Sequence, residues 1–313
     1  MPNPMKTITA FAPASIGNLA VGFDILGCAV PALGDKVTAT RTEAPGVVIA
    51  AIGGLDLPLP TDPARNTAGK AALAILDAGK ADFGASLVIH KGVPLGSGLG
   101  GSAASAVAAA VAVNALLPRP LDPIAVLKCA MQGEAVASGS LHVDNIAPSL
   151  FGGIVLTVGI DEPRVISIPA PSGIAAIVVH PRLVVATEKA RGILKRSVDL
   201  SDFVWQSANL AGFIAACYRN DLDLLRASFE DVVIEPQRQA LIPGFAKARA
   251  GAMQRGALGC SISGAGPTIF AWAPAAACPA IGAAIAAAFA AEGLDSTQLL
   301  VPLDGPGAYL VDT

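Results

Sequence analysis

Charge is scarce in this chain: Asp, Glu, Lys and Arg make up 14% of its 313 residues, against about a quarter in an ordinary soluble domain. The formal net charge is −3, the Lys and Arg residues are scattered, and aromatic rings amount to 4%. A nucleic-acid partner is therefore excluded, since it needs a basic stripe and rings on which bases stack. Histidines number three, and the five cysteines (Cys28, Cys129, Cys217, Cys260, Cys278) are far apart, odd in number and without a Cys-x-x-Cys. That pattern excludes a disulfide framework or a zinc site and makes a reducing cytoplasm the expected setting. Long apolar runs are missing as well. The run after Ser102 is shorter than the ~20 residues a membrane span needs and is interrupted by Asn114, and the run from Ala280 to Ala291 is shorter still. The opening Met1-Pro-Asn-Pro-Met-Lys6 has no signal-peptide core. No membrane partner is expected.

Apolar residues make up 53% of the chain and glycines number 33. That length and composition suit two domains with large cores. The richest glycine stretch is Val93-Pro-Leu-Gly-Ser-Gly-Leu-Gly-Gly-Ser-Ala-Ala104. Before it, Ala85–His90 reads as a strand; after it, Ala103–Leu117 reads as a buried helix stopped by Pro118. A strand, a glycine loop and a helix start form a phosphate cradle, because glycines let backbone N–H groups converge and the helix dipole adds positive potential. No Gly-Lys-Ser/Thr occurs, so it is not a Walker A loop. Gly96, Gly98 and Gly101 spell Gly-x-Gly-x-x-Gly, and Asp122 follows at the distance a dinucleotide fold asks. Asp122 stands after Pro-Arg-Pro, however, where it caps a helix opened by Pro123.

Along the rest of the chain, Thr7–Ala12, Lys36–Arg41 and Val47–Ile52 read as strands, and Asn66 caps a helix to Leu76. Asn18 and Asp24 lie in a Gly-rich loop, as turn formers or as ligand groups. The helix from Pro123 to about Ser138 carries Glu134. His142, Asp144 and Asn145 crowd into an expected loop that leads to a strand ending near Val158. Composition shifts to Pro, Asp, Glu and Ser at Asp161–Ser172. A boundary there gives domains 1–168 and 169–313. The second half opens with a strand, Ile174–His180. Thr187 then starts a helix with Arg191 on the same face, four residues on. Helices at Val204–Tyr218, Leu222–Phe229, Ala246–Gly256 and Ala280–Glu292 follow, with a second glycine element, Gly259–Thr268, before the strand Ile269–Trp272.

Three stretches together resemble the GHMP kinases: Ala12-Pro-Ala-Ser-Ile-Gly-Asn-Leu19, Pro94-Leu-Gly-Ser-Gly-Leu-Gly-Gly-Ser-Ala103 and Ser261-Ile-Ser-Gly-Ala-Gly-Pro-Thr268. Val21-Gly-Phe-Asp-Ile-Leu-Gly27, His142-Val-Asp-Asn145, Thr187-Glu-Lys-Ala-Arg191 and Glu235-Pro-Gln-Arg238 are most similar to the branch that acts on homoserine. Gly101 departs from the family, which has the first Ser of a Ser-Ser pair there; Ser102 keeps the second.

The resemblance implies an α+β protein with two domains, the first like domain 2 of ribosomal protein S5 and the second ferredoxin-like, with the active site between them. It implies ATP-dependent phosphorylation of the side-chain hydroxyl of L-homoserine, a step toward threonine, and a homodimer. It places ATP on Asn66, Lys91 and the run Pro94, Leu95, Gly96, Ser97, Gly98, Leu99, Gly100, Gly101, Ser102 and Ala103. Mg²⁺ falls to Ser102 and Glu134, whose hard oxygens suit it. The substrate falls to Asn18, Asp24, His142, Asp144, Asn145, Thr187, Arg191, Arg238 and Gly264, with the two arginines on its carboxylate. Asp144 stands where mevalonate kinase-like members carry a catalytic Asp, as a base or as a substrate-binding group. Another GHMP kinase acting on mevalonate or a sugar, a dinucleotide oxidoreductase and a nucleotide-binding paralogue without activity are the rival readings.

Overall fold

The structure, a computed structural model, describes residues 6–54, 58–138 and 143–312. Its first unit runs β1 (Thr7–Gly17), β2 (Leu26–Thr42), β3 (Gly46–Gly53), α1 (Thr67–Ala78), β4 (Gly84–His90), α2 (Gly101–Asn114), α3 (Pro123–Ser138), α4 (Ile146–Phe151), β5 (Ile154–Val158) and β6 (Arg164–Ile168). The second runs β7 (Ile174–Pro181), α5 (Thr187–Gly192), α6 (Leu200–Arg219), α7 (Leu222–Ala227), α8 (Glu235–Arg238), α9 (Phe245–Gln254), β8 (Gly259–Ile262), β9 (Ile269–Pro274), α10 (Cys278–Ala290) and β10 (Ser296–Pro302). The last strand, β11 (Tyr309–Val311), returns to the first unit and pairs with β1.

The first sheet runs β11-β1-β2-β4-β3, with β5 and β6 joined to the near end of β2. Among the described residues, only β3 and β4 pair in parallel, through the α1 crossover. α2 is apolar on every side because it is central: ten of its fourteen residues are buried. Alanines keep it thin enough to lie between the sheet and the helices α1 and α3. Gly133 does the same for α3, since a Cβ there would stand 2.4 Å from the Thr67 carbonyl oxygen. That close approach brings Glu134 over the first turn of α2.

The second sheet has the order β10-β7-β9-β8, all antiparallel. Its residues alternate between two cores. Ile177, Val179 and Ile269 face α9 and α10, while Ala176, Val178, Phe270 and Trp272 share a cluster with Phe213 of α6 and with Leu26, Cys28 and Val30 of β2. The units are thus joined by one continuous apolar cluster rather than a linker.

Three expectations need correcting. Part of the loop expected after residue 142 is α4: six residues show no helical period, and burial of Ile146, Ala147 and Ser149 forms the helix. The polar stretch 161–172 contains β6, an edge strand whose single buried residue, Ile168, leaves little alternation to read. The second glycine element begins as β8, buried at all four positions and so without a period of two.

Candidate active site

The glycine loop between β4 and α2 is held from behind by its carbonyl oxygens. Gly96 O accepts from Val185 N–H at 3.2 Å, and Ser97 O accepts from Thr268 Oγ1 at 2.6 Å. Gly98 O accepts from Ser263 Oγ at 2.7 Å, and Leu99 O from Ser15 N–H at 3.0 Å. A trans peptide points the following N–H groups of Ser97, Gly98 and Gly100 the opposite way, toward the cleft, while Leu99 N–H donates to Ser97 Oγ at 3.3 Å. The alternation needs left-handed backbone at Gly96, Gly98 and Gly100, with φ of 60°, 77° and 64°. α2 then begins, and its first-turn N–H groups have no partner within the helix. The whole arrangement is an anion site made of backbone.

Ser102, in that first turn, donates its hydroxyl to Glu134 Oε1 at 2.8 Å. Burial pushes the Glu134 carboxyl up to about 7, opposed by the Ser102 hydrogen bond and helped by the charge of Asp144. A hydroxyl and a carboxylate beside a phosphate cradle are a hard-oxygen pair suited to Mg²⁺.

The other wall is made of side chains. The turn after β1 holds four non-glycine residues at positive φ: Asn18, Leu19, Ala20 and Asp24. Such strain marks functional turns, and this one is tied down. Asn18 O accepts from Gly22 N–H at 2.8 Å, Asn18 Oδ1 accepts from Asp24 N–H at 3.1 Å, and Asn18 Nδ2 donates to Gly264 O at 3.1 Å. Asp24 receives a two-pronged ion pair from Arg191 of α5, at 2.8 and 3.1 Å. Arg238 of α8 is 3% exposed. It donates through Nε to Ala190 O at 3.2 Å and through Nη1 to the same Gly264 O at 2.9 Å. Asp144, also 3% exposed, has its carboxyl pushed up to about 7 by burial and then by the charge of Asp24. Gly17 makes room for it: a Cβ there would stand 2.5 Å from Asp144 Oδ2.

One cleft is lined by Asn18, Asp24, Asp144, Asn145, Thr187, Arg191, Arg238 and Gly264 on this wall and by Pro94, Leu95, Gly96, Ser97, Gly98, Gly100, Gly101, Ser102 and Glu134 on the other. Leu99 and Ala103 turn their side chains into the cores beneath. His142 lies outside the described residues. Asn66 and Lys91 line a neighbouring cavity with Leu59, Pro60, Ile89 and Val136. Both are committed to the fold at their polar ends. Asn66 caps α1 through Ala68 N–H and Gly69 N–H. Lys91 gives its three ammonium donors to Asp35, Gly101 O and Ser105 Oγ. Asp122 Oδ1 accepts from Ile124 N–H and Ala125 N–H at the start of α3. It is a helix cap, and the dinucleotide reading loses its acidic residue.

Models of two families match the chain: GHMP kinases N terminal domain over residues 66–153 and GHMP kinases C terminal over residues 213–291. A homoserine kinase of Xanthomonas campestris pv. campestris is 48% identical over 98% of this chain and 95% of its own. The chain belongs to the GHMP kinases. A homoserine kinase of Xylella fastidiosa is also 48% identical, covering 96% of this chain and 93% of its own. The crystal structure of homoserine kinase from Cytophaga hutchinsonii superposes with a TM-score of 0.94 at 39% identity, over 99% of both chains.

Sequence reasoning missed the groups that brace the site of this GHMP kinase. Asp35 is fully buried. Its Oδ1 accepts from Gly92 N–H and Val93 N–H, and its Oδ2 takes Lys91 and Ser105. A lone Asp inside a strand, followed by a Lys at the exit of a second strand, was the signal available. Ser263 and Thr268 lay within a recognised motif, but their task, holding two carbonyls of a loop 165 and 171 residues away, has no trace in the sequence.

Proposed function

We propose that the protein transfers the γ-phosphoryl group of ATP to the side-chain hydroxyl of L-homoserine, giving ADP and O-phospho-L-homoserine for threonine synthesis. The observation that carries the reading is the arginine wall. Among the described residues, the buried Nε of Arg191 has no hydrogen-bond partner, and Arg238 stands in the same cleft. A buried donor without a partner is costly, and a planar carboxylate is what a guanidinium fork accepts best. A sugar or a neutral alcohol gives these two cations nothing to hold. The division at 168/169 puts the phosphate loop, Glu134 and Asp144 in one unit and Thr187, Arg191, Arg238 and Gly264 in the other. The acceptor is then bound by both.

The loop from Pro94 to Ala103 holds the ATP phosphates through its N–H groups, with the adenine in the neighbouring cavity walled by Leu59, Ile89 and Val136. Ser102 and Glu134 would hold Mg²⁺, which would neutralise phosphate charge when bound. Arg191 and Arg238 take the substrate carboxylate. Asp24 and Asn18 take the ammonium end, with Asn145 and Thr187 completing the pocket. The acceptor oxygen attacks phosphorus in line, the bond to the bridging oxygen of ADP breaks, and the hydroxyl proton passes to Asp144. Positioning supplies most of the acceleration. Asp144 is suited to the proton because its carboxylate, desolvated and beside Asp24, binds a proton near neutral pH. An Asp144→Asn variant that keeps its fold is expected to lose about 10²–10⁴ in kcat; a loss below tenfold would leave Asp144 only a binding group. The five buried, unbridged cysteines support a cytoplasmic enzyme, and the apolar composition supports a homodimer, to be read by analytical ultracentrifugation.

The test is ADP release with Mg·ATP against L-homoserine, D-homoserine, L-serine, mevalonate and galactose. Turnover on L-homoserine well above the rest is the expected result. Turnover on mevalonate or galactose would reassign the pocket, and ATP binding without turnover would make the chain a non-catalytic paralogue.

A further inference from the structure

Two arginines in one cleft repel each other, and a carboxylate site needs them close with their N–H edges open. Burial first, and then the charge of Arg191, lower the proton affinity of Arg238. Acceptor groups already take several of their donors: Asp24 both Nη groups of Arg191, Ala190 O and Gly264 O the Nε and Nη1 of Arg238. The structure adds a device that uses no acceptor. The Cζ of Arg191 lies over the Phe23 ring, 5.3 Å from its centroid, and the Cζ of Arg238 lies over the same ring at 5.2 Å. Both distances are within the range where a ring's quadrupole attracts a cation. A ring attracts a cation through its quadrupole and takes the place of no carbonyl or carboxylate acceptor.

Phe23 is not there to fill the core. Its neighbours at two residues' distance, Val21 and Ile25, belong to or pack against the apolar cluster between the units, and among the described residues Phe23 does not. It sits half-buried in the strained turn between Asn18 and Asp24. That turn is fixed by the Asn18 hydrogen bonds and by Gln206 Nε2 donating to Val21 O at 3.0 Å. We propose that Phe23 is a positioning residue for the acceptor's carboxylate: its ring attracts the guanidinium groups of both Arg191 and Arg238 and holds these two like charges beside each other in the cleft. The proposal rests on the reading that the acceptor is an α-amino acid. Asp24 spends its carboxylate on the two Nη groups of Arg191, and its charge also acts on Arg238. When an ammonium group draws on Asp24, the ring contact remains.

The test compares full-length wild type, Phe23→Leu, Phe23→Met and Phe23→Tyr with two acceptors: L-homoserine, and 3-aminopropan-1-ol, which is homoserine with hydrogen in place of the carboxylate. Phe23→Leu and Phe23→Met are expected to raise KM for L-homoserine about tenfold. Their kcat, their KM for ATP and their thermal midpoint stay near wild type. Phe23→Tyr, which keeps the ring face, restores KM. With 3-aminopropan-1-ol the kcat/KM of Phe23→Leu matches wild type within about twofold, because there is no carboxylate for the arginines to serve. An equal loss with both acceptors, or a fall in kcat or thermal midpoint in place of the KM change, overturns the proposal. A wild type that does not prefer L-homoserine over 3-aminopropan-1-ol sinks the functional reading instead, before any variant is measured.

Discussion

On one wall of the cleft the candidate binding groups are backbone N–H donors of the glycine loop and the first turn of α2; on the other they are the side chains of Asn18, Asp24, Asp144, Arg191 and Arg238. The first wall is stiff because Val185, Thr268, Ser263 and Ser15 hold its carbonyls from behind. No cleft-facing side chain is needed to hold phosphate, so an added Cβ is the main threat. The second wall draws its groups from the turn after β1, from α5, α8 and the segment before α4, and its charges face each other before any ligand arrives. There, truncation is the threat. Phosphate is the same in every reaction of a kinase, and rigid backbone suits it; the acceptor is particular, and side chains can be particular.

The largest effect should come from Arg238→Ala. Loss of a buried charge with two hydrogen bonds is expected to cut kcat/KM for the amino acid roughly 10³-fold, with KM for ATP within about threefold. Steady-state kinetics with each substrate varied in turn read the split. Gly98→Ala should show the reverse split. Its φ is 77°, and the new Cβ would stand 2.5 Å from Ser263 O and 2.6 Å from Gly266 O. KM for ATP should rise on the order of a hundredfold, a cost of about 3 kcal/mol of strain, while the amino-acid KM stays close to wild type. If both KM values rise together in either variant, the two walls are one coupled unit and the contrast fails.

pH sharpens the comparison. Glu134 holds a proton up to about 7, so below that pH Mg²⁺ must displace it. Affinity for Mg·ATP, followed by calorimetry, should fall about tenfold per pH unit below 7, where a single proton is displaced. For stability the sign is opposite. Glu134, Asp144 and Glu235 are all raised to about 7 by burial, so between about pH 4 and 7 the folded state binds more protons than the unfolded. The thermal midpoint of the ligand-free protein should therefore fall as pH rises through that window, and added Mg·ATP should recover more of it at pH 7.5 than at pH 5.5. The smallest effect is expected from Thr268→Val, which removes one tether behind Ser97 while leaving the Thr268 backbone bond to the same oxygen. About a fivefold rise in KM for ATP, with the amino-acid KM constant, matches the loss of one net hydrogen bond.

The same contrast explains what could be read from the chain. The phosphate wall was legible because its chemistry is local: glycines, hydroxyls and a helix start fall within a dozen residues. The helix caps at Asn66 and Asp122 were legible for the same reason, whereas the two domain types came only with the resemblance. The arginine wall was legible only by resemblance, because Arg191 and Arg238 taken alone read as solvated helix residues, and nothing near either names Gly264 or Phe23 as its neighbour. Lys91 shows the limit. Beside a glycine loop it reads as a nucleotide contact, yet Asp35, 56 residues earlier in the chain, claims it for the fold. α4 and β8 escaped because buried short elements carry no period.

The chain leaves the first sheet after Ile168 and comes back to it at Tyr309, where β11 lies against Phe11 of β1. The second unit is therefore not a bead at the end of a string. It is moored by two lines to the same sheet, with the shared apolar cluster packed between them. Val185, Ser263 and Thr268 of the second unit grip the phosphate loop directly, so the loop and the arginines are built into one register by the fold itself.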